Sequence, residues 1–283
     1  MRLPFHQVDV FTTQQFKGNP LAVFPEGGGL DTATMQAIAR EMNLSETTFV
    51  EAAKRPDCDF AVRIFTPGTE LPFAGHPTIG TSFVLDQLGR LPADDFTFEM
   101  KAAPIPVRRE CDAQRYWMTP PAAKPARTFA ATATIAQALG LPVEALCGKI
   151  ALFENGLHFF CVPLDSRASV DAAAPNRPML AEATALDANQ FDVVVFHYHA
   201  GHAYSRMLAH PASGITEDPA TGSSVAPLVA TLRESALLEA EARELTVEQG
   251  AKMGRRSTLH VHLGPPLLVG GGAVAVFESS LTL

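Results

Sequence analysis

The stretch GHPTIGTS at residues 75–82 has a second version, EDPATGSS at residues 217–224, half a chain later. Within both, a polar residue, a proline, two further residues, a glycine, a Ser or Thr and a serine precede an apolar segment. The ionisable residues, His76 and Asp218, are 142 positions apart (218 − 76) in a chain of 283 residues. The spacing predicts two related halves that face each other across one site, which favours proton transfer on a small acidic molecule.

The chemistry of the two loops supports such a site but leaves a simpler interpretation open. Proline suits the first position of a helix, so the residue before it is a natural N-cap. The free N–H groups and partial positive charge of a helix start suit a carboxylate. Asp218 could merely cap a helix and His76 could be a packed loop residue, although capping alone needs no histidine.

The similarity of the halves extends beyond the loops. RIF at residues 63–65 precedes the first loop and RML at residues 206–208 precedes the second. Short apolar or alternating segments predict many strands, and helices are predicted at residues 31–41, 78–88, 132–139, 178–185 and 221–238. The predicted fold class is α+β, with two pseudo-symmetric domains that each wrap a curled, mostly antiparallel sheet around a central helix.

The domains are predicted at residues 1–120 and 128–283. Residues 119–128 (TPPAAKPART) are rich in proline and alanine, which indicates a linker. The glycines at residues 270–272 indicate a turn. The last strand, at about residues 273–283, is free to pack back on the first domain.

Composition narrows the function. The chain is 47% hydrophobic, with a net charge of −8 and a sequence pI of about 5.6. This balance argues against nucleic acid or an anionic membrane as a partner and leaves an anionic metabolite open. No signal-peptide pattern or membrane-span length of ~18–20 apolar residues occurs, and the four scattered cysteines indicate reduced thiols. We therefore expect a cytoplasmic protein.

Two further sets of residues could carry chemistry. Glu46 lies between a predicted helix and a strand, where it is either an acid/base group or a solvated turn residue. The matching place in the second half, near residues 189–190, has no carboxylate. This asymmetry is what we expect of a cleft between two domains in which one base works alone. The other set is a cluster of histidines, His197, His199, His202 and His210. The first three make a metal site sterically conceivable, but no compelling carboxylate or cysteine joins them, so we predict no metal.

At these residues the chain resembles the PhzF family of phenazine-biosynthesis isomerase-like proteins. The resemblance covers the whole length, and its motifs are specific only together. They are VDVF (8–11), GNPLAV (18–23), NLSET (43–47), RIFTP (63–67), FAGHPT (73–78) and EDPATGS (217–223).

The resemblance implies the diaminopimelate epimerase-like fold, with the site between the two domains, no cofactor and a homodimer. It implies that Glu46 moves a proton between carbons while His76 and Asp218 relay protons or hold polar groups of the substrate. It also implies that Ser223 and the N–H groups of Gly222 and Ser223 anchor a carboxylate. Asn19 and Gly75 would shape the pocket. The two-cysteine racemisation of that epimerase and of proline racemase is disfavoured, because neither loop carries the cysteine.

The leading hypothesis is a cofactor-independent isomerase of a small carboxylic acid, with Glu46 as general acid/base. Enclosure between two apolar halves would raise the pKa of Glu46 toward the working pH. The alternatives are an epimerase or racemase that pairs Glu46 with Asp218 or His76, and a metabolite-binding protein that kept the cleft without catalysis.

Overall fold

A computed structural model describes residues 2–283, and strands dominate it. The first half contains β1 Arg2–Val10, β2 Asn19–Phe24, β3 Glu46–Ala52, β4 Phe60–Phe65, β5 Glu70–Leu71, β6 Asp95–Glu99, β7 Pro104–Glu110, β8 Arg115–Met118 and β9 Lys124–Phe129. The second contains β10 Ile150–Glu154, β11 His158–Pro163, β12 Asp192–His199, β13 His202–Leu208, β14 Glu217–Asp218, β15 Glu244–Gln249, β16 Ser257–His262, β17 Leu268–Gly271 and β18 Ala273–Thr282. Most neighbouring strands are antiparallel, and the predicted α+β class is confirmed.

Six α-helices accompany the strands of the described chain. They are α1 Thr32–Met42, α2 Gly75–Gln87, α3 Ala133–Ala138, α4 Arg167–Ala172, α5 Arg177–Thr184 and α6 Val225–Glu234. A 3-10 turn, Gly222–Ser224, leads into α6. No helix between residues 2 and 283 is long and apolar enough to cross a bilayer.

The two halves repeat one connectivity. In the first, β2 runs parallel to β3, and β3 is antiparallel to β4, which pairs with β5 before α2. In the second, β11 runs parallel to β12, and β12 is antiparallel to β13, which pairs with β14 before α6. The predicted duplication is confirmed, and it places the ends of corresponding strands at one interface.

Each half buries its principal helix. The helix α2 packs against β1, β2, β3 and β8, and α6 packs against β10 and β11. Burial of a Leu, Ile or Val side chain typically stabilises a fold by about 1.5–3 kcal/mol. The buried apolar residues of the two helices are Ile79, Val84, Leu85, Val225, Leu228, Val229 and Leu232. These contacts fix the starts of both helices, where the conspicuous loops lie.

Three predictions of local structure are wrong. The predicted linker contains β9, which pairs with β10 and so uses its backbone groups in the sheet. The predicted turn at residues 270–272 begins in β17, where Gly270 packs under an aromatic ring: a Cβ there would lie 2.4 Å from Trp117. The predicted helix at 221–238 is a 3-10 turn followed by the shorter α6.

The sheet also joins the two halves. β17 pairs with β8, and β18 pairs with β1 along nearly its whole length. The strands β17 and β18, from the end of the chain, hydrogen-bond to strands of the first half. This pairing holds the two halves together and brings the starts of α2 and α6 next to each other.

Candidate active site

Neither ionisable loop residue caps a helix, contrary to the sequence prediction. His76 is the second residue of α2, whose N-cap is Ala74, without a side-chain bond. Asp218 ends β14, before the 3-10 turn. Both side chains are therefore free for contacts other than helix capping.

The strand register gives a different correspondence between the loops. Arg63 Nε donates to Glu70 at 2.8 Å, and Arg206 Nε donates to Glu217 at 2.9 Å in the same relative position of the sheet. Counting onward from these glutamates aligns residues 75–76 with residues 222–223, five positions away from the alignment that the prolines suggest. Four positions of this shift come from the turn after Arg206, which is four residues longer than the turn after Arg63, and the fifth arises because Asp218 follows Arg206 by 12 positions whereas His76 follows Arg63 by 13.

Gly75 and Gly222 meet face to face between the halves. A Cβ on Gly75 would lie 2.4 Å from Gly222 Cα and 2.7 Å from Ser223 N. Only glycine permits this approach, since real Cβ atoms do not come so close to backbone. Gly75 and Gly222 are therefore the equivalent residues of the two loops, and His76 and Asp218 are not equivalent.

The acid at Glu46 is duplicated as well, which corrects the expectation that the second half lacks it. Phe49 pairs with Arg63 in the first half, and Val195 pairs with Arg206 in the second. Glu46, the first residue of β3, lies three residues before Phe49, and Asp192, the first residue of β12, lies three residues before Val195. Residues 189–190 lie before this strand and are not the equivalent position.

Glu46, His76 and Asp218 form one buried group. Their exposed fractions are 7%, 2% and 3%. Glu46 Oε2 lies 3.2 Å from His76 Nε2, although their mutual orientation is not that of a hydrogen bond. Both atoms are buried without a hydrogen-bond partner among residues 2–283, so they are available to a substrate.

Asn19 links His76 to Asp218. Its Nδ2 lies 2.9 Å from His76 Nδ1, 2.7 Å from Asp218 Oδ1 and 3.0 Å from Ala220 O, so three acceptors share two hydrogens. Because Nδ1 of His76 accepts, we assign the ring proton to Nε2, the nitrogen beside Glu46. Asp218 Oδ2 accepts a 2.5 Å hydrogen bond from Thr221 Oγ1, which fixes the carboxyl group.

Burial controls the charges. Burial, with the negative charges of Asp218 and Asp192, raises the pKa of Glu46 well above its usual range. Burial lowers the pKa of His76 to about 3. It raises the pKa of Asp218 to about 7, although a hydrogen bond from Thr221 acts in the opposite direction. Burial therefore favours the uncharged forms of Glu46 and His76, while the pKa of Asp218 lies near neutral pH, so the group can exchange protons.

A narrow cleft opens onto these side chains, with a cavity volume of about 40 Å³. Gly75, Gly222 and Ser223 line it, and the N–H groups of first helical turns have no acceptor within their own helix. These amides are suited to an anionic group of a substrate.

A metal ion would find its ligands in the same group. Glu46, His76 and Asp218 offer ligand atoms within 4.8 Å of one another, and no other such group occurs among residues 2–283. Among the described residues the strand histidines form no such group, although His197, His199 and His202 all line one surface pocket; His197 Nδ1 lies 3.1 Å from Leu164 O.

Sequence reasoning did not place two ionisable residues in the cleft, Asp192 and His210. Asp192 had a usable signal, because it opens the apolar strand DVVVF as Glu46 opens ETTFV. His210 had none, because nothing in HPASG distinguishes it from other loop histidines. Residues of both halves line the cleft, so the sequence prediction described only part of its surface.

A duplicated α+β fold with a buried Glu–His–Asp group between its halves defines an isomerase or epimerase of the diaminopimelate epimerase-like fold. The family model described as phenazine biosynthesis-like protein matches residues 8–279, and the chain belongs to this PhzF family. An uncharacterized isomerase from Mesorhizobium japonicum is 35% identical, with 96% of each chain covered. Trans-2,3-dihydro-3-hydroxyanthranilate isomerase from Pseudomonas aeruginosa is 34% identical, with 89% of this chain and 87% of its own covered. A PhzF-family crystal structure from Bacillus anthracis aligns over both whole chains, with a TM-score of 0.86 and 25% identity.

Proposed function

We propose that this enzyme shifts a proton between two carbons of a small carboxylic acid without a cofactor, with Glu46 as the general acid/base. The observation that carries the proposal is the pair of buried, unpartnered atoms, Glu46 Oε2 and His76 Nε2, at the floor of the cleft. A group that is buried without a partner in the protein is costly unless a ligand uses it.

The chemistry follows from these positions. Ionised Glu46 takes a proton from a carbon next to the conjugated system, and the electron pair moves into that system. The negative charge that develops toward the substrate carboxylate is stabilised by the amides at Gly222 and Ser223. Glu46 then returns the proton to another carbon, so that a double bond migrates and no atom is gained or lost. The burial that raises the pKa of Glu46 also makes its ionised form a stronger base.

The other groups support the base. The Nε2–H of His76 faces Glu46 and can donate to an oxygen of the substrate or relay its proton. Asp218, whose pKa is about 7, can exchange a proton with a hydroxyl or amino substituent. Asn19 holds both in place, and it acts as a positioning residue.

The test is proton NMR in D₂O with trans-2,3-dihydro-3-hydroxyanthranilate, the substrate named for the relatives. The wild type should move the diene signals and place deuterium on a ring carbon. Glu46→Gln should lower turnover about 10²–10⁴-fold, as loss of a positioned proton-transfer group does. Glu51→Gln, in the same strand β3 but outside the cleft, is the matched control and should keep the wild-type rate.

Each alternative has its own outcome in this experiment. Deuterium that enters at a stereocentre without migration of a double bond would make the enzyme an epimerase. Thermal stabilisation by the ligand without exchange, in wild type and Glu46→Gln alike, would make it a binding protein. A rate that falls on dialysis against a chelator and returns with metal would contradict cofactor independence, since Glu46, His76 and Asp218 could hold an ion. Full turnover by Glu46→Gln would remove it as the base.

We also propose that the enzyme works as a homodimer in the cytoplasm on a small anionic metabolite, without nucleic acid or a membrane. Strand β18 pairs with β1 on one side only and exposes Phe277, and an open strand edge with an apolar side chain favours pairing with another chain. Light scattering after gel filtration would give the mass, for which twice 30.3 kDa is expected.

A further inference from the structure

The buried group of Glu46, His76 and Asp218 also has the donor atoms and the spacing of a metal site, although the proposed reaction uses no metal. We propose that Zn²⁺ binds to these three side chains and inhibits the enzyme by occupying its base. Binding of the ion does not depend on the proposed function. The inhibition rests on it, because it requires that Glu46 moves the proton.

The three ligands come from different elements, so the fold fixes the spacing between them. Glu46 begins β3, His76 is the second residue of α2 and Asp218 ends β14. Glu46 Oε2 lies 3.2 Å from His76 Nε2. In a tetrahedral zinc site with bonds of about 2.0–2.1 Å, two ligand atoms lie about 3.3–3.4 Å apart. The observed spacing therefore fits an ion shared by the two atoms with almost no movement of either.

The orientation of the two groups agrees with a shared ion. Glu46 Oε2 and His76 Nε2 are within hydrogen-bond distance, yet they form no hydrogen bond with each other or with any other residue of the described chain. Lone pairs of metal ligands converge on the ion and not on one another. Two buried, unpartnered atoms at this distance are thus left for a third atom that contacts both.

Asp218 supplies the third ligand. One of its carboxylate oxygens lies within 4.8 Å of the ligand atoms of Glu46 and His76, so it has to approach them by at most about 1.5 Å. Its two oxygens accept hydrogen bonds from Asn19 and Thr221, and each keeps a lone pair for an ion. The cavity of about 40 Å³ exceeds the ~10–15 Å³ that one water molecule needs, so a water can be the fourth ligand.

The charges of the cleft favour a cation. Glu46, Asp192 and Asp218 line it, whereas no lysine or arginine does so in the part of the chain that the structure describes. The ionised carboxylates of Glu46 and Asp218 together neutralise Zn²⁺, and binding releases the protons that these groups carry. Imidazole and carboxylate ligands with one open position are typical of zinc sites that bind a further molecule.

His76 has to be reorganised before it can bind an ion. Its Nε2 must lose its hydrogen, so the ring proton moves to Nδ1. Asn19 Nδ2 faces Nδ1, and Asn19 Oδ1 is buried without a hydrogen-bond partner among residues 2–283. Rotation of this amide turns Oδ1 toward Nδ1–H, which is the support that metal-bound histidines receive from an oxygen. The hydrogen bonds from Asn19 to Asp218 and Ala220 are then lost, and the ion replaces the first of them.

An ion at this place stops proton transfer in two ways. Glu46 gives the ion the lone pair that would take the proton from carbon. His76 no longer carries the Nε2 hydrogen that faces Glu46. The enzyme with bound Zn²⁺ should therefore not exchange protons with its substrate.

Isothermal titration calorimetry with ZnCl₂ tests the site without turnover. Wild type that has been treated with EDTA and desalted should bind one Zn²⁺ per chain. Co²⁺ in its place should give the intense visible absorption of tetrahedral coordination and not the weak bands of the hydrated ion. Glu46→Gln and His76→Ala should each weaken the binding by more than the ~10–100-fold that the loss of an outer partner costs.

The matched control is an exposed pair of histidines. His199 and His202 lie opposite each other on β12 and β13 and line a surface pocket. The double variant His199→Ala/His202→Ala should bind Zn²⁺ as wild type does. If it loses binding while Glu46→Gln keeps it, the ion sits at the surface and the inference is overturned. Glu46→Gln preserves the size of the side chain, so the test remains decisive if thermal unfolding shows that His76→Ala folds poorly.

Turnover in D₂O then tests the inhibition. A small excess of Zn²⁺ should lower the rate by about 10²-fold or more, as loss of the base does. EDTA should restore the rate, and Mg²⁺ should not lower it, because Mg²⁺ prefers an octahedron of oxygen ligands. Zn²⁺ that binds in the cleft without slowing turnover, or a rate that EDTA lowers, would overturn the inhibition.

The two proposals fail separately in these experiments. A wild type that binds no Zn²⁺ overturns the metal site, while its turnover after EDTA treatment leaves the proposed function intact. Full turnover by Glu46→Gln removes Glu46 as the base, while the calorimetry of wild type and variant still decides where the ion binds.

Discussion

The two halves of the molecule share a backbone and differ in the side chains that the backbone presents. The first half offers Glu46 at a strand start and His76 after its glycine. The second offers Asp192 and Ser223 at the equivalent places, and it adds Asp218 where the first half has Leu71. Duplication thus supplies two helix starts and two carboxylates at strand starts, and divergence at single positions gives the two walls of the cleft different side chains.

Substitution at the contact between Gly75 and Gly222 is expected to have the largest effect on activity. Gly75→Ala places a Cβ 2.4 Å from Gly222 Cα, where only backbone could yield, so the halves must separate. We expect loss of more than about 10²-fold in turnover, since small misplacements of catalytic groups have such costs. Gly222→Ala should be milder, because its Cβ meets Gly75 Cα, Met118 and Phe11 at 3.0–3.2 Å and two of these are side chains.

Initial-rate kinetics and thermal unfolding of both variants check this order. Gly28→Ala is the control, because nothing lies within 4 Å of its Cβ and it should behave as wild type. Equal activities of Gly75→Ala and Gly222→Ala would mean that the contact is not what sets the geometry of the cleft.

The sequence was sufficient for the fold and for the first wall of the cleft, because both depend on local signals. Apolar alternation and the paired loops indicate the strands, the buried helices and the duplication, and Glu46, His76 and Asp218 stand in recognisable motifs. The register was not available from sequence. The proline motif aligns His76 with Asp218, whereas the sheet aligns His76 with Ser223, since the turn after Arg206 is four residues longer.

That shift explains why the second wall was overlooked. With the loops misaligned, the equivalent of Glu46 is predicted near residues 189–190, two positions before Asp192. Strands such as β9, in a segment rich in proline and alanine, depend on their partner strand rather than on their own pattern. The register of the second half and the formation of β9 both depend on pairing between distant strands, and such pairing leaves no periodicity in the sequence.

The equivalent arginines allow a second comparison, of stability. Arg206 is nearly fully buried and donates to Glu217 and to the carbonyls of Val170, Asp171 and Ala173. The Arg63 side chain is 24% exposed, and no such carbonyl cage surrounds it. Arg206→Ala should lower the free energy of unfolding by about 3–5 kcal/mol, because buried partners are left unpaired.

Arg63→Ala is the matched variant, and it should cost less than Arg206→Ala, because Arg63 is more exposed and its guanidinium donates to the side chains of Glu70 and Thr32. Urea unfolding at equilibrium measures both. Equal losses would show that the two arginines contribute alike and that the divergence of the halves is confined to the cleft.

The last comparison concerns Asp218, which stands where the first half has an apolar residue. The pKa of this carboxyl is about 7 in the folded protein and about 3.9 in an unfolded chain. Between these values the folded state holds a proton that the unfolded state has released, so rising pH favours unfolding. The stability of the wild type should therefore fall from about pH 4 to pH 7, by up to roughly 1.4 kcal/mol for each unit of pKa difference.

Asparagine does not titrate, so Asp218→Asn removes this contribution. The melting temperature of the variant minus that of the wild type should rise as the pH goes from 5 to 8, and the constant cost of altering the hydrogen bonds from Asn19 and Thr221 cancels in that trend. The exposed control Asp112→Asn should show a flat difference. A flat difference for Asp218→Asn as well would mean that Asp218 is ionised throughout. The hydrogen bonds from Thr221 and Asn19 would then outweigh burial, and the carboxyl would serve as a fixed charge rather than a proton carrier.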